Sequence, residues 1–212
     1  MPLTLKSRCF FAAACLMGAV RALAVTSAVI AVVSSEISTD GPLLWQNLDS
    51  DRPQVAMRYF DDDRRHFIGL VNDGDSARVY AGLNTAGFAL VLSPAADADS
   101  LSDPAQFAKQ ALGQCGRLED FLALFADSTN RFPAGNAFAC IDAFGGAAVI
   151  EANGTPFVAF DPFAASTGFV VRSNFNLSQA NYADESYWRY HRARELFAGQ
   201  KSLSAAKLLR TI

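Results

Sequence analysis

Histidine is nearly absent from this sequence. Its two copies, His66 and His191, stand at no metal-ligand spacing, and no Ser-His-Asp set is readable around them. The residues therefore offer neither a histidine-built metal centre nor a histidine-based triad, and no metal or cofactor is expected. A glycine-rich phosphate loop is also missing, which removes the usual nucleotide cradle. Charged residues make up only 18% of the chain, with no long run of either sign and no basic patch. Nucleic acid is then a poor partner, because phosphate binding draws mostly on lysine and arginine. Low-complexity tracts and fixed-period repeats are absent too.

What is abundant is apolar surface. Hydrophobic residues form 51% of a 212-residue chain, enough for one globular domain with a core of its own. Residues 1–24 read as an export signal. Lys6 and Arg8 make a positive start, the stretch Cys9 to Val20 is an apolar run, and Ala22-Leu23-Ala24 gives the small-x-small pattern of a cleavage site. The run falls short of the ~20 residues of a membrane span. An uncleaved anchor is the rival reading; cleavage leaves a domain at 25–212 with no stable membrane span, in the periplasm or secreted. Losing Lys6, Arg8 and Arg21 takes the formal charge from −3 to −6. Two cysteines remain, Cys115 and Cys140. Cys140 alternates with Phe138 in an apolar strand and reads as a buried free thiol, while pairing of the two stays open.

Val25 to Val33 is β-branched and apolar, a buried strand. Asp40-Gly41 then marks a hairpin turn. "PLLWQNLD", "QVAMRYF", "HFIGLVN", "ARVYAGLN" and "FALVLS" follow as strands. The period then changes. Asp103 with Pro104 starts one helix, and Phe107, Ala111, Leu118, Phe121, Leu122 and Phe125 recur at helical spacing. Strands resume at "NAFACIDAF", "AAVIEA", "PFVAFD" and "GFVVRSNF". Two helices end the chain, the first with Tyr190, Ala193, Leu196 and Phe197 on one side. Two blocks of hairpin-linked strands, each followed by helices, give an α+β pattern with largely antiparallel sheets. Asp61-Asp62-Asp63 with Asp73 and Asp75 match no calcium loop and read as solvated turns.

Several of these stretches resemble known motifs. "STDGPLLWQNLDS" is similar to a hairpin near the start of N-terminal nucleophile hydrolases, in the branch of choloylglycine hydrolases and penicillin acyltransferase-like amidases. "HFIGLVN", "VYAGLNTAGFALVLS", "FACIDAFGGAAVIEAN", "GFVVRSNFN" and "SYWRYHRARELF" resemble further blocks of that branch, in the same order. The resemblance implies an αββα sandwich, two mostly antiparallel sheets between helix layers. It implies hydrolysis or acyl transfer at linear amide C–N bonds of a small-molecule substrate, without a cofactor. Members usually run on past the point where this chain stops, which suggests that the domain lacks its last strands.

In such hydrolases the side chain of the first mature residue attacks the amide carbonyl, and its free α-amine takes the proton. That position maps to Val25, which has no nucleophile. Counting back from Asp40 by the family's usual spacing gives Ala28, equally inert. Thr26 and Ser27 carry hydroxyls, and either needs the chain trimmed to that residue. Ser27 shares a strand face with Val25 but stands about 6.6 Å further along. An aspartate that holds the first residue maps to Asp49. An arginine of bile-salt hydrolases maps to Gln46, a departure. One oxyanion asparagine maps to Leu92, a loss, whereas another is kept as Asn174 and a late arginine as Arg189. Each kept residue also has a plain structural reading, as a turn, strand-end or surface group. Two hypotheses result: an amidase working from Thr26 or Ser27, or a degenerate member that keeps the fold as a binding or decayed protein.

Overall fold

The computed structural model describes residues 27–49, 55–62, 64–94, 103–127, 135–152, 157–175, 177 and 185–211. The expected signal peptide at 1–24, Val25 and Thr26 lie outside them. In chain order the elements are β1 (Ser27–Val33), β2 (Leu43–Asp49), β3 (Val55–Phe60), β4 (Phe67–Asn72), β5 (Ala81–Asn84), β6 (Ala89–Ser93), α1 (Pro104–Gln114), α2 (Leu118–Ala126), β7 (Ala137–Ile141), β8 (Ala147–Glu151), β9 (Val158–Phe160), β10 (Phe169–Arg172), α3 (Glu185–Ala198) and α4 (Ala205–Thr211). Each falls inside a stretch that period and turn chemistry single out.

Strands β3 to β9 form a seven-stranded antiparallel sheet in sequence order. The other sheet has three strands in the order β10-β1-β2, again antiparallel. Strand alternation sorts the apolar residues into three layers. Leu90, Leu92, Phe138 and Ile150 face α1 and α2, together with Phe107, Phe121 and Phe125. Val91, Ala139 and Val149 face Ile30, Val32 and Val170 between the sheets. Val29, Ala31, Val33, Phe169 and Val171 face Tyr190, Ala193 and Phe197 of α3 and Leu208 of α4. The architecture is an αββα sandwich. The three-stranded sheet is the narrower one, and Met57, Tyr59, Ile68 and Leu83 of β3 to β5 stay exposed.

Local contacts explain how the helices seat. Asp103 caps α1, accepting from Ala105 N at 3.0 Å and Gln106 N at 3.4 Å. The helix lies directly on β5 at Gly82, where a Cβ would stand 2.4 Å from Leu112 Cδ1. Buried Asn84 then joins helix to hairpin: its Nδ2 donates to Leu112 O (2.8 Å) and Cys115 O (2.6 Å), and its Oδ1 accepts from Ala86 N and Phe88 N, both at 3.0 Å. The Asp40-Gly41 turn forms as expected, with Gly41 at φ +81°. Asp40 also accepts from Ala205 N at 2.9 Å, docking the turn on the start of α4.

Cys115 and Cys140 are free and buried. Burial pushes the Cys115 thiol up to about 12 and raises Cys140 as well. Neither is a reactive thiolate at neutral pH. Phe88, Phe107, Phe121, Phe125 and Phe138 interlock in the helix-side core, as in the edge-to-face pair Phe125–Phe138 at 5.3 Å.

Asp142 holds the start of α2, accepting from Leu118 N, Phe144 N and Gly146 N, each at 2.8 Å. Burial pushes this carboxyl up, but those donors and the Arg117 charge outweigh it, so it sits below its ordinary value. A depressed carboxyl contributes stability that is present above the unfolded-state pKa of about 3.9 and is lost as pH falls through the folded one. In urea unfolding, the stability gap between wild type and Asp142→Asn is expected to be widest at neutral pH and to close below about pH 4. A pH-independent gap would contradict this assignment.

Candidate active site

β1 is the central strand of the small sheet, and its first two residues lie where that sheet meets the end of β6. In the β1–β2 register Ser27 pairs with Asp49. Only the backbone of these two residues is described. Next to Ser27, the buried Ala28 is held on both sides. Its N–H donates to Asn174 Oδ1 at 3.0 Å. Its carbonyl accepts from Ser93 Oγ at 2.9 Å and Ser173 Oγ at 3.3 Å.

Asn174 is the hub. Its Nδ2 donates to Pro94 O, and its Oδ1 also accepts from Arg189 Nη2 at 3.3 Å. The amide orientation follows from its partners, since two donors meet the oxygen and a carbonyl meets the nitrogen. Arg189 Nε is buried and has no hydrogen-bond partner among the described residues. The fold thus brings together Asn174 and Arg189, two residues taken from the resemblance, at the start of β1. It sets Ser27 and Asp49 opposite each other.

Leu92 is elsewhere. Its side chain is fully buried on the helix side of the long sheet. Strand alternation makes the neighbouring Ser93 the residue that reaches β1. The loss read at Leu92 is therefore not a gap in this site, because position 92 faces away from it. Gln46, the departure from the bile-salt pattern, is a brace. Its Nε2 donates to Leu92 O at 2.8 Å and Tyr80 O at 3.4 Å, tying β2 to the long sheet.

A buried ion pair backs the hub. Arg172 Nε donates to Glu151 Oε1, with Glu151 fully buried and Arg172 5% exposed. Arg172 also donates to Val171 O at 2.7 Å and stacks 4.0 Å from the Phe160 ring centroid. Leu177 N donates to the same Glu151 oxygen at 3.4 Å. Glu151 thereby grips the chain on either side of Asn174. Sequence reasoning missed Ser93, Ser173, Glu151 and Arg172. The available signal was a single charge inside each of two otherwise apolar strands, "AAVIE" and "FVVR".

No protein-family model matches the chain, and no curated protein matches it. Solved structures do. The N-acylethanolamine-hydrolyzing acid amidase ortholog of Caenorhabditis elegans superposes with a TM-score of 0.62 at 13% identity, over 86% of this chain and 84% of that one. A mutant of the conjugated bile acid hydrolase from Clostridium perfringens superposes with a TM-score of 0.56 at 11% identity, over 87% and 77%. The chain has the N-terminal nucleophile hydrolase fold. Both matched proteins are amide hydrolases of the choloylglycine hydrolase-like family. At the start of β1, Asn174 accepts from Ala28 N–H and from Arg189.

Proposed function

We propose that the chain is an exported amide C–N hydrolase or acyltransferase whose working form begins at Ser27. The carrying observation is the grip on Ala28, with Asn174 on its N–H and two serine hydroxyls on its carbonyl. Such a grip fixes the residue before it, and residue 27 is the one set opposite Asp49. A chain beginning there has both groups the reaction needs on one residue.

The steps follow from that. Ser27 Oγ attacks the amide carbon of a small-molecule substrate while its proton passes to the Ser27 α-amine, directly or through water. An amine with an ordinary pKa of about 7.7–8.0 suits this transfer. The tetrahedral oxyanion is met by donors beside Asn174, with Arg189 Nε an unused one. Collapse expels the amine, which takes the proton back, and leaves an ester on Ser27. Water or another acyl acceptor then releases the acyl group.

A second reading is a non-catalytic family member that binds an amide. It is favoured by Ala22-Leu23-Ala24, which directs cleavage to leave Val25 first. Intact mass and terminal sequencing of the exported protein separate the two. A start at Ser27 is the expected result, and a start at Thr26 moves the reaction to that hydroxyl and overturns the assignment to Ser27. A start at Val25 overturns the catalytic reading.

A further inference from the structure

We propose that Ser93 is a positioning residue for the nucleophile, acting through the Ala28 carbonyl. This rests on the reading that catalysis starts from residue 27. A peptide unit is planar, so the Ala28 N–H lies in one plane with the Cα of Ser27. Asn174 holds that plane at 3.0 Å. The Ala28 carbonyl belongs to the next plane, and Ser93 Oγ holds it at 2.9 Å, with Ser173 Oγ at 3.3 Å. Two successive planes are thus fixed, which leaves the Ser27 Cα little freedom.

The two holds also share an anchor. Pro94, the residue after Ser93, supplies the carbonyl that receives Asn174 Nδ2. The end of β6 therefore sets both the acceptor on the Ala28 N–H and the donor on the Ala28 carbonyl. It does so across the gap between the two sheets, since β6 belongs to the long sheet and β1 to the short one. Ser93 and Ser173 are both fully buried, so water does not compete for the carbonyl. A displacement of about 1 Å at a reacting atom is worth about 10²-fold in rate, and that is the scale on which this clamp acts.

The test uses the mature chain beginning at Ser27, with Ser93→Ala and Ser93→Thr. Exchange of the Ala28 amide is read by NMR, and turnover with a decanoyl amide of 7-amino-4-methylcoumarin. In Ser93→Ala the Ala28 amide is expected to exchange at least about 10-fold faster, while β7 amides keep their rates, and kcat falls about 10–100-fold with KM within about twofold. Ser93→Thr, which keeps the hydroxyl, is expected to retain slow exchange and most of kcat. Unchanged exchange at Ala28, or faster exchange throughout β7 as well, overturns the clamp. An Ala28 response in exchange with no turnover in wild type keeps the clamp as structure and overturns the nucleophile reading, and with it the catalytic role of Ser93.

Discussion

Replacing Glu151 with alanine is expected to cost about 3–5 kcal/mol of folding stability. Glu151 is fully buried and pairs with an Arg172 that is only 5% exposed. Truncating the carboxylate leaves a guanidinium between two sheets with one remaining polar contact among the described residues, to Val171 O, and the Phe160 ring beside it. A buried charge without its partner is among the larger single-residue penalties, because water no longer solvates it. The Leu177 N–H loses an acceptor in the same stroke. The pair itself is not what makes the fold stable: joint replacement of Glu151 and Arg172 by leucine and methionine is expected to recover most of the loss. Urea unfolding of the single and double variants measures both, and equal losses in the two would refute the account.

The second large effect is expected at Asn174. Asn174→Ala removes the acceptor of the Ala28 N–H, the donor to Pro94 O and the acceptor of Arg189 at once. On the proposed function kcat/KM is expected to fall about 10²-fold, the scale of a ~1 Å misplacement of the reacting atom. Asn174→Asp separates the roles. A carboxylate still accepts from Ala28 and Arg189 but meets the Pro94 carbonyl with an acceptor, so lone pair faces lone pair. Activity of Asn174→Asp is expected to be no better than that of Asn174→Ala at neutral pH. Steady-state kinetics of the two variants beginning at Ser27 checks this; an aspartate that works as well as wild type would remove Pro94 from the picture.

The elements were legible in the sequence because most pairings are local. β3 to β9 follow one another through short turns or a helical insertion, and the Asp40-Gly41 turn and the Asp103-Pro104 start each announce themselves chemically. The pairing of β1 with β10 was not legible, since Ile30 and Arg172 meet from opposite ends of the domain. The same distance hides most of the site. Ser93 and Ala28 carry no local sign of each other, and Ser93 differs from Leu92 only in which side of β6 it occupies. Asn174 and Arg189 were found through short motifs. That Arg189 meets the same Asn174 oxygen that accepts from Ala28 N–H needed the fold.

The two sheets differ in how far their partners lie along the chain. The long sheet is a meander whose strands join their predecessors in order, so each new strand closes only a small loop. In the short sheet only the β1–β2 hairpin is local, with β1 waiting for β10 on its other side and the Ile37–Thr39 stretch waiting for Leu203. Low contact order favours early assembly of β3 to β9 with α1 and α2. The short sheet with α3 and α4 is then the last unit to close and the first to open below the global unfolding limit. Residue 27 belongs to that late unit. On the proposed function, trimming to Ser27 is expected to be easiest before β10 and the terminal helices dock on β1.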